Sequence, residues 1–248
     1  MEYKEITPQQ FRKRTWISFS IFFVFLLGAF LTLRWIKKSP EIKGAHKPLR
    51  AVLGFNERLF GQAFSRNRLS KTFPESQAAK RTRANGNYGI RTAVDTANWR
   101  LNVVRSAGDT LHITLDELKQ LPKTDVIFDF KCIEGWSQVT HWGGVKFSDF
   151  IKHYGLDKQA ELKYTGMVTP DKEYYVGIDM RSAMHPQTIL CYELNNQPLP
   201  MVQGYPLRLI IPVKYGVKHI KRIGEINFSN ERPPDYWYEN GYDYFTGL

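Results

Sequence analysis

The feature that most restricts this chain is an uncharged run near its start, Trp16 to Leu33 (WISFSIFFVFLLGAFLTL). Coiled as a helix at ~1.5 Å of rise per residue, the run is about 27 Å long, close to the ~30 Å hydrocarbon core of a bilayer. Hydrocarbon offers no hydrogen bonds, so a helix, which satisfies its own backbone, is the conformation required there. Trp16 and Trp35 stand at the two ends, where indoles favour the headgroup layer. Arg12, Lys13 and Arg14 precede the run; Arg34, Lys37 and Lys38 follow it. A cleaved export signal would be shorter and would end at small residues. Here Gly28 and Ala29 are followed by Phe30, Leu31 and Leu33, so an uncleaved span over 16–36 is expected, after a basic tail 1–15. Cations on both flanks leave only a weak orientation signal, with the short tail inside and the main domain outside as the favoured arrangement.

The net charge of +11 and isoelectric point near 9.6 invite a nucleic-acid reading. The basic residues, however, crowd residues 4–105 and 208–222. Residues 37–84 read as a basic connector, in which Leu49 to Phe64 could form a short helix against lipid or against the domain. Aromatic residues at 14% exclude disorder, and thirteen prolines exclude a pure helical bundle. From Asn85 the texture changes. Alternation predicts strands at Trp99–Val104, His112–Thr114, Asp125–Cys132, Glu173–Ile178, Ile189–Leu194 and Pro206–Pro212. Short helices are predicted after Thr114, a capping residue, and over Lys146–Gly155. Residues 85–248 therefore read as one α+β domain of mixed β-sheets with short helices, preceded by one transmembrane helix.

Two cysteines can form neither a stapled scaffold nor a four-ligand zinc site. Cys132 ends an apolar strand, after Lys131 and before a Glu134-Gly135-Trp136 turn. A ligand can reach a thiol placed there, and a neighbouring cation favours the thiolate. Local sequence alone still favours simple packing, because free cysteine is among the most buried of residues. Cys191, within an apolar strand, reads as core. A second feature is the strand from Pro206 through Arg208 to Pro212, which runs into a glycine-containing turn with Lys214, Lys218, His219 and Lys221. Backbone N–H groups and cations together suit a phosphate or other anion; a solvated basic loop is the plainer reading. No P-loop or dinucleotide spacing is present, and no aromatic-basic motif accompanies the loop, so no nucleic-acid partner is expected.

The run Phe130-Lys-Cys132-Ile-Glu-Gly-Trp136, followed by Trp142-Gly-Gly-Val145, resembles the cofactor-ligating region of sulfite-oxidase-superfamily molybdopterin oxidoreductases. It is most similar to the branch containing the bacterial protein-methionine-sulfoxide reductase catalytic subunit. The resemblance continues through Met184-His-Pro186, Gly204–Lys218 and Asn230-Glu-Arg-Pro-Pro234, covering roughly residues 80–248. It implies that Cys132 is the catalytic thiolate that binds molybdenum beside a single pterin. It implies further that Asn85 and Tyr88 contact the cofactor, that Arg208 holds the pterin phosphate with a planar fork, and that Lys218, His219, Ile220 and Lys221 belong to the loop closing over it. Gln203 stands where a polar side chain, often Asn or His in the branch, contacts the pterin, and Gly89 where the branch often has an acid. Thr165 is the counterpart of a contributing threonine, in a shorter segment. Trp136 and Trp142 keep a packing role.

The implied activity is oxygen-atom transfer by a membrane-anchored enzyme, in the direction of sulfoxide reduction, since Ile-Glu-Gly-Trp follows Cys132 in place of the basic pattern of sulfite oxidases. No Cys-x-x-Cys-His haem motif is present, so a membrane haem- or quinone-linked protein is expected to supply electrons, with the domain in the periplasm. The chain stops soon after Arg-Pro-Pro, which sets the expectation of a monomer. The alternatives are sulfite-oxidase-like oxidation of a small anion, a non-catalytic membrane-bound module that binds an anion or cofactor, and a basic surface that binds nucleic acid or anionic lipid.

Overall fold

The structure, a computed structural model, describes residues 6–65, 67–84 and 86–247. It opens on α1 (Pro8–Lys38), which begins with a capping box between Thr7 and Gln10. None of its residues is buried against protein, and it is long and apolar enough to cross a membrane. A tight turn of β1 (Glu41–Ile42) and β2 (Ala45–His46) leads into α2 (Lys47–Ala63). This is the short helix expected near 49–64, and it touches both α1 and the main body.

Residues 37–84 are bound to the rest of the molecule along much of their length. Arg50 donates to the carbonyls of Tyr238 (3.0 Å) and Tyr242 (2.7 Å). Arg232 pairs with Glu57. Ser70 and Gln187 exchange two hydrogen bonds of 2.8 and 2.9 Å, and the Ala79 N–H donates to the Val139 carbonyl. A connector that ties off its backbone groups in this way behaves as part of the domain.

Next come β3 (Leu101–Ser106), β4 (Asp109–Ile113), α3 (Leu115–Lys119), β5 (Lys123–Lys131) and β6 (Ser137–Lys146). Then follow α4 (Phe147–His153), α5 (Asp157–Ala160), β7 (Tyr164–Val168), β8 (Tyr175–Asp179) and α6 (Met180–Ala183). The chain finishes with β9 (Ile189–Leu194), β10 (Gln197–Pro198), β11 (Arg208–Ile210), β12 (Glu225–Ser229) and α7 (Tyr236–Glu239). Thr114 caps α3 with Glu117, as its sequence predicts.

These strands form two five-stranded sheets. One runs β10-β9-β6-β5, with β11 on the same edge of β9 as β10; all its pairs are antiparallel. The other runs β4-β3-β12-β7-β8, with β12 parallel to β3. Strand β9 is buried on both faces: Leu190 and Tyr192 join the larger core, while Ile189, Cys191 and Leu194 join a smaller one with Phe128, Phe130 and Trp142. That double burial is why Ile-Leu-Cys-Tyr reads as a continuous apolar run. Gly144 lies so close to Leu190 and Cys191 on β9 that a Cβ there would collide with backbone. The segment from Ile211 to Gly224 links β11 of the first sheet to β12 of the second, and the site is built on it.

Candidate active site

Strand β5 places Val126, Phe128 and Phe130 on its inner face. Cys132, two residues on, follows the same alternation inward. It starts the loop between β5 and β6. The Cys132 N–H donates to the Trp136 carbonyl (2.9 Å), and the Gly135 N–H donates to the Cys132 carbonyl (3.1 Å). Gly135 has φ of +88°, a backbone state that glycine enters without steric cost. Cys132 and Cys191 are not joined by a disulfide. The sequence reading put Lys131 beside the thiol; the same alternation sends it to the opposite, exposed face.

Cys132 instead lines a cavity of about 180 Å³ together with Tyr88, Glu134, Tyr174, His219, Lys221 and Trp237. The Lys221 ammonium donates to the Gly86 carbonyl (3.0 Å). Burial, and then the charge of Arg208, pushes its pKa down to about 7. His219 lies parallel to Phe128 and edge-on to Phe130, with Nε2 3.1 Å from the Lys214 carbonyl. A carbonyl only accepts, so Nε2 carries the proton and Nδ1 is a bare lone pair. Among the described residues that buried Nδ1 has no partner, and burial with the nearby Arg208 charge holds the ring neutral, its pKa pushed down to about 3.

Arg208 sits behind this cavity in a narrow crevice with Gln203, Phe130, Trp136, Trp142 and Thr82. Its guanidinium lies 4.5 Å over the Trp142 ring. It donates to the carbonyl (3.1 Å) and amide oxygen (2.8 Å) of Gln203 and to the His219 carbonyl (3.3 Å). Among the described residues these partners are all neutral, and Nε has none. Burial pushes the pKa down to about 10. Gln203 in turn donates to the Thr82 and Arg83 carbonyls, which cross above it.

The remaining sequence candidates are placed elsewhere. The Lys218 ammonium is buried against Asp235 and donates to the Gly177 carbonyl, and Lys214 pairs with Asp179 at 2.8 Å. The loop read as a solvated basic turn is thus buried, and two of its lysines hold it to β8 and the C-terminal segment. Ile220 packs in the core and offers the loop only its backbone. Thr165 lies within β7, its hydroxyl donating to the Asn227 carbonyl, and does not line the cavity. Asn85 lies outside the described residues. Cys191 is fully buried, its thiol donating to the Glu193 carbonyl, and burial pushes its pKa up to about 12. Trp142 does more than pack, since it carries Arg208.

Sequence reasoning missed the aromatic wall. Tyr174 stacks on Tyr88 with ring centroids 6.4 Å apart and donates to the Val217 carbonyl, while Trp237 and Tyr242 close the far side. The density of rings in Tyr236–Tyr244 was the available signal.

The oxidoreductase molybdopterin-binding domain family matches residues 88–237, more than half of the chain and every lining residue from Tyr88 to Trp237. This chain belongs to that family. A putative protein-methionine-sulfoxide reductase subunit, YedZ1, of Azospira oryzae is 39% identical over 202 residues, 80% of this chain and 76% of that protein. The protein-methionine-sulfoxide reductase catalytic subunits MsrP of Xanthomonas campestris and Campylobacter jejuni are 32% and 30% identical, over 60% and 58% of this chain. The chain spans about half the length of those two, 52% and 53%. In fold it is similar to the sulfane dehydrogenase SoxCD of Paracoccus pantotrophus, with TM-score 0.50, 17% identity, and coverage of 67% of this chain and 46% of that one. As a member of the molybdopterin-binding family the chain is an oxidoreductase, with the mixed sheets and short helices expected of it. Its residues suit such a cofactor: a thiol in the cavity wall, an unmatched donor on Arg208 and an unmatched acceptor on His219.

Proposed function

We propose that this chain is a membrane-anchored molybdenum-cofactor oxidoreductase that reduces a sulfoxide, with Cys132 as the protein ligand to the metal. The observation that carries the reading is a cavity-lining thiol together with, in the crevice behind, a buried arginine whose Nε donor has no partner among the described residues. When bound, the cofactor supplies two-electron oxygen-atom transfer, and the relatives named as protein-methionine-sulfoxide reductases make a sulfoxide the preferred substrate.

The chain's own residues divide the remaining work. Cys132 offers a soft sulfur suited to molybdenum. Arg208 and Lys221 present charge to the phosphate of a single pterin, Arg208 already oriented by Gln203 and Trp142. His219, neutral and with Nδ1 as an acceptor, takes a hydrogen bond from a ring N–H of the pterin. Tyr88 and Tyr174 form an apolar wall that keeps water from the reacting centre and leaves room for a thioether-like group. Electrons come from a membrane haem- or quinone-linked protein, and α1, acting as the bilayer anchor, holds the domain beside that donor in the periplasm.

The test is molybdenum and pterin analysis of purified protein, together with sulfoxide-dependent oxidation of a reduced dye. Wild type is expected to carry about one molybdenum per chain, as one thiolate ligand implies, and Cys132→Ala to lose both metal and activity. Metal retained in Cys132→Ala would refute the assignment of Cys132, and a loaded wild type that oxidises no dye with any sulfoxide would refute the reaction.

A further inference from the structure

Helix α2 leaves five large apolar side chains facing outward: Leu49, Val52, Phe55, Leu59 and Phe60, each 45–63% exposed. At ~100° per residue they fall within an arc of about 140°, a continuous stripe. The adjoining face, carrying Arg50, Leu53, Gly54, Glu57 and Gly61, is the half-buried side turned to the domain. An apolar stripe of this size is unfavourable in water, and its position says what covers it. Helix α1 ends at Lys38, and α2 begins at Lys47 after the small β1–β2 turn; the two helices are in contact. The start of α2 therefore cannot leave the surface from which α1 emerges. Lys37, Lys38, Lys47 and Arg58 are exposed around it and complement lipid phosphates.

We propose that α2 lies in the interfacial layer of the bilayer that α1 crosses, with its Leu49–Phe60 stripe among the acyl chains and these cations at the headgroups. The proposal rests on α1 being a membrane span. It also fixes the direction in which the domain faces. On the inner side of α2, Arg50 grips the Tyr238 and Tyr242 carbonyls and stacks on the Tyr238 ring at 4.3 Å. Tyr242 and Trp237 belong to the cavity wall, so that wall of the cavity stands on the membrane side of the domain.

Single nitroxide labels on the full-length, cofactor-loaded protein, reconstituted in phosphatidylcholine–phosphatidylglycerol vesicles, test this. Both native cysteines are buried, so an introduced exposed thiol labels first. Labels at Val52→Cys, Phe55→Cys and Leu59→Cys are expected to collide more with oxygen than with a water-soluble nickel chelate. Ala51→Cys and Arg58→Cys, on the exposed flank about 40–60° outside that arc, are expected to show the reverse ratio. Phe25→Cys in α1 reports the span itself. Oxygen preference at 25 with nickel preference at 52, 55 and 59 would overturn the interfacial helix while leaving the span standing. Shielding of 52, 55 and 59 from both reagents would mean that a protein covers the stripe, and would overturn it equally. Nickel preference at 25 would remove span and interfacial helix together.

Discussion

The two halves of the segment that links the sheets treat charge in opposite ways. In the first half, Lys214 and Lys218 each meet a carboxylate, Asp179 and Asp235, and also donate to the carbonyls of Phe245 and Gly177. Burial pushes the Lys214 pKa down to about 8 against the pull of Asp179. Burial alone would raise the Asp179 pKa, but the Lys214 charge and the hydrogen bonds it receives turn the shift downward. In the second half, Lys221 and the neighbouring Arg208 are buried and repel each other. A fold gains nothing from holding two like charges out of water. The first half therefore serves the structure, and the second half is the part we propose to meet the phosphate of a cofactor.

The comparison can be broken most easily at Asp235. Asp235→Ala strands the buried Lys218 and is expected to cost roughly 3–5 kcal/mol of stability, read as a lowered unfolding midpoint with or without cofactor. Arg208→Met should do the opposite. The cofactor-free protein is expected to be at least as stable as wild type, because an incompletely bonded cation is replaced by hydrocarbon. Pterin retention should fall about ten- to a hundredfold, matching ~1.5–3 kcal/mol for hydrogen bonds to a charged partner. If Arg208→Met unfolded the apo-protein as Asp235→Ala does, the two halves would not differ in kind.

A third test uses pH. Lys221 has a folded pKa near 7, below the ~10.4 of an unfolded lysine. Between those values the unfolded chain holds more protons, so the cofactor-free protein gains stability as pH rises through that window. Lys221→Met should flatten this part of the stability–pH curve, with the difference from wild type isolating the lysine. Pterin binding should show the reverse trend and weaken above pH about 7, where the ammonium is lost. His219, neutral at any pH well above about 3, should add no slope of its own in this range. The smallest effect is expected from the exposed pair Arg105–Asp109 in the β3–β4 hairpin, where Asp109→Asn should change stability by less than ~1 kcal/mol.

What the sequence disclosed depended on whether the signal was local. Alternation found the inner face of β5 and the strand character of β9, and Thr114 announced the start of α3, because each depends on neighbours in sequence. The role of the lysines did not show. Lys214, Lys218 and Lys221 look alike along the chain, and only the fold brings Asp179 and Asp235, 35 and 17 residues away, to the first two. Long strand β6 was obscured by Gly143 and Gly144, the first crowded by the Lys123 side chain of β5 and the second by the backbone of β9. The aromatic wall was hidden for the same reason: Tyr88, Tyr174 and Trp237 come from three separate stretches of chain. Thr165 was assigned by the spacing of a resemblance, and the fold turns its hydroxyl to Asn227.

The packing of Thr82, Arg83 and Gly86 beside Gln203 and Lys221 has a consequence for assembly. Thr82 and Arg83 are pinned to Gln203, Arg83 also to Gln138, and Gly86 to Lys221, and Thr82 and Arg83 line the crevice that holds Arg208. On the reading proposed above, a pterin phosphate would reach Arg208 only where these hydrogen bonds give way. Loading and release of such a group would then be tied to the same few contacts, those of Gln203 and Lys221 with the main chain of Thr82, Arg83 and Gly86.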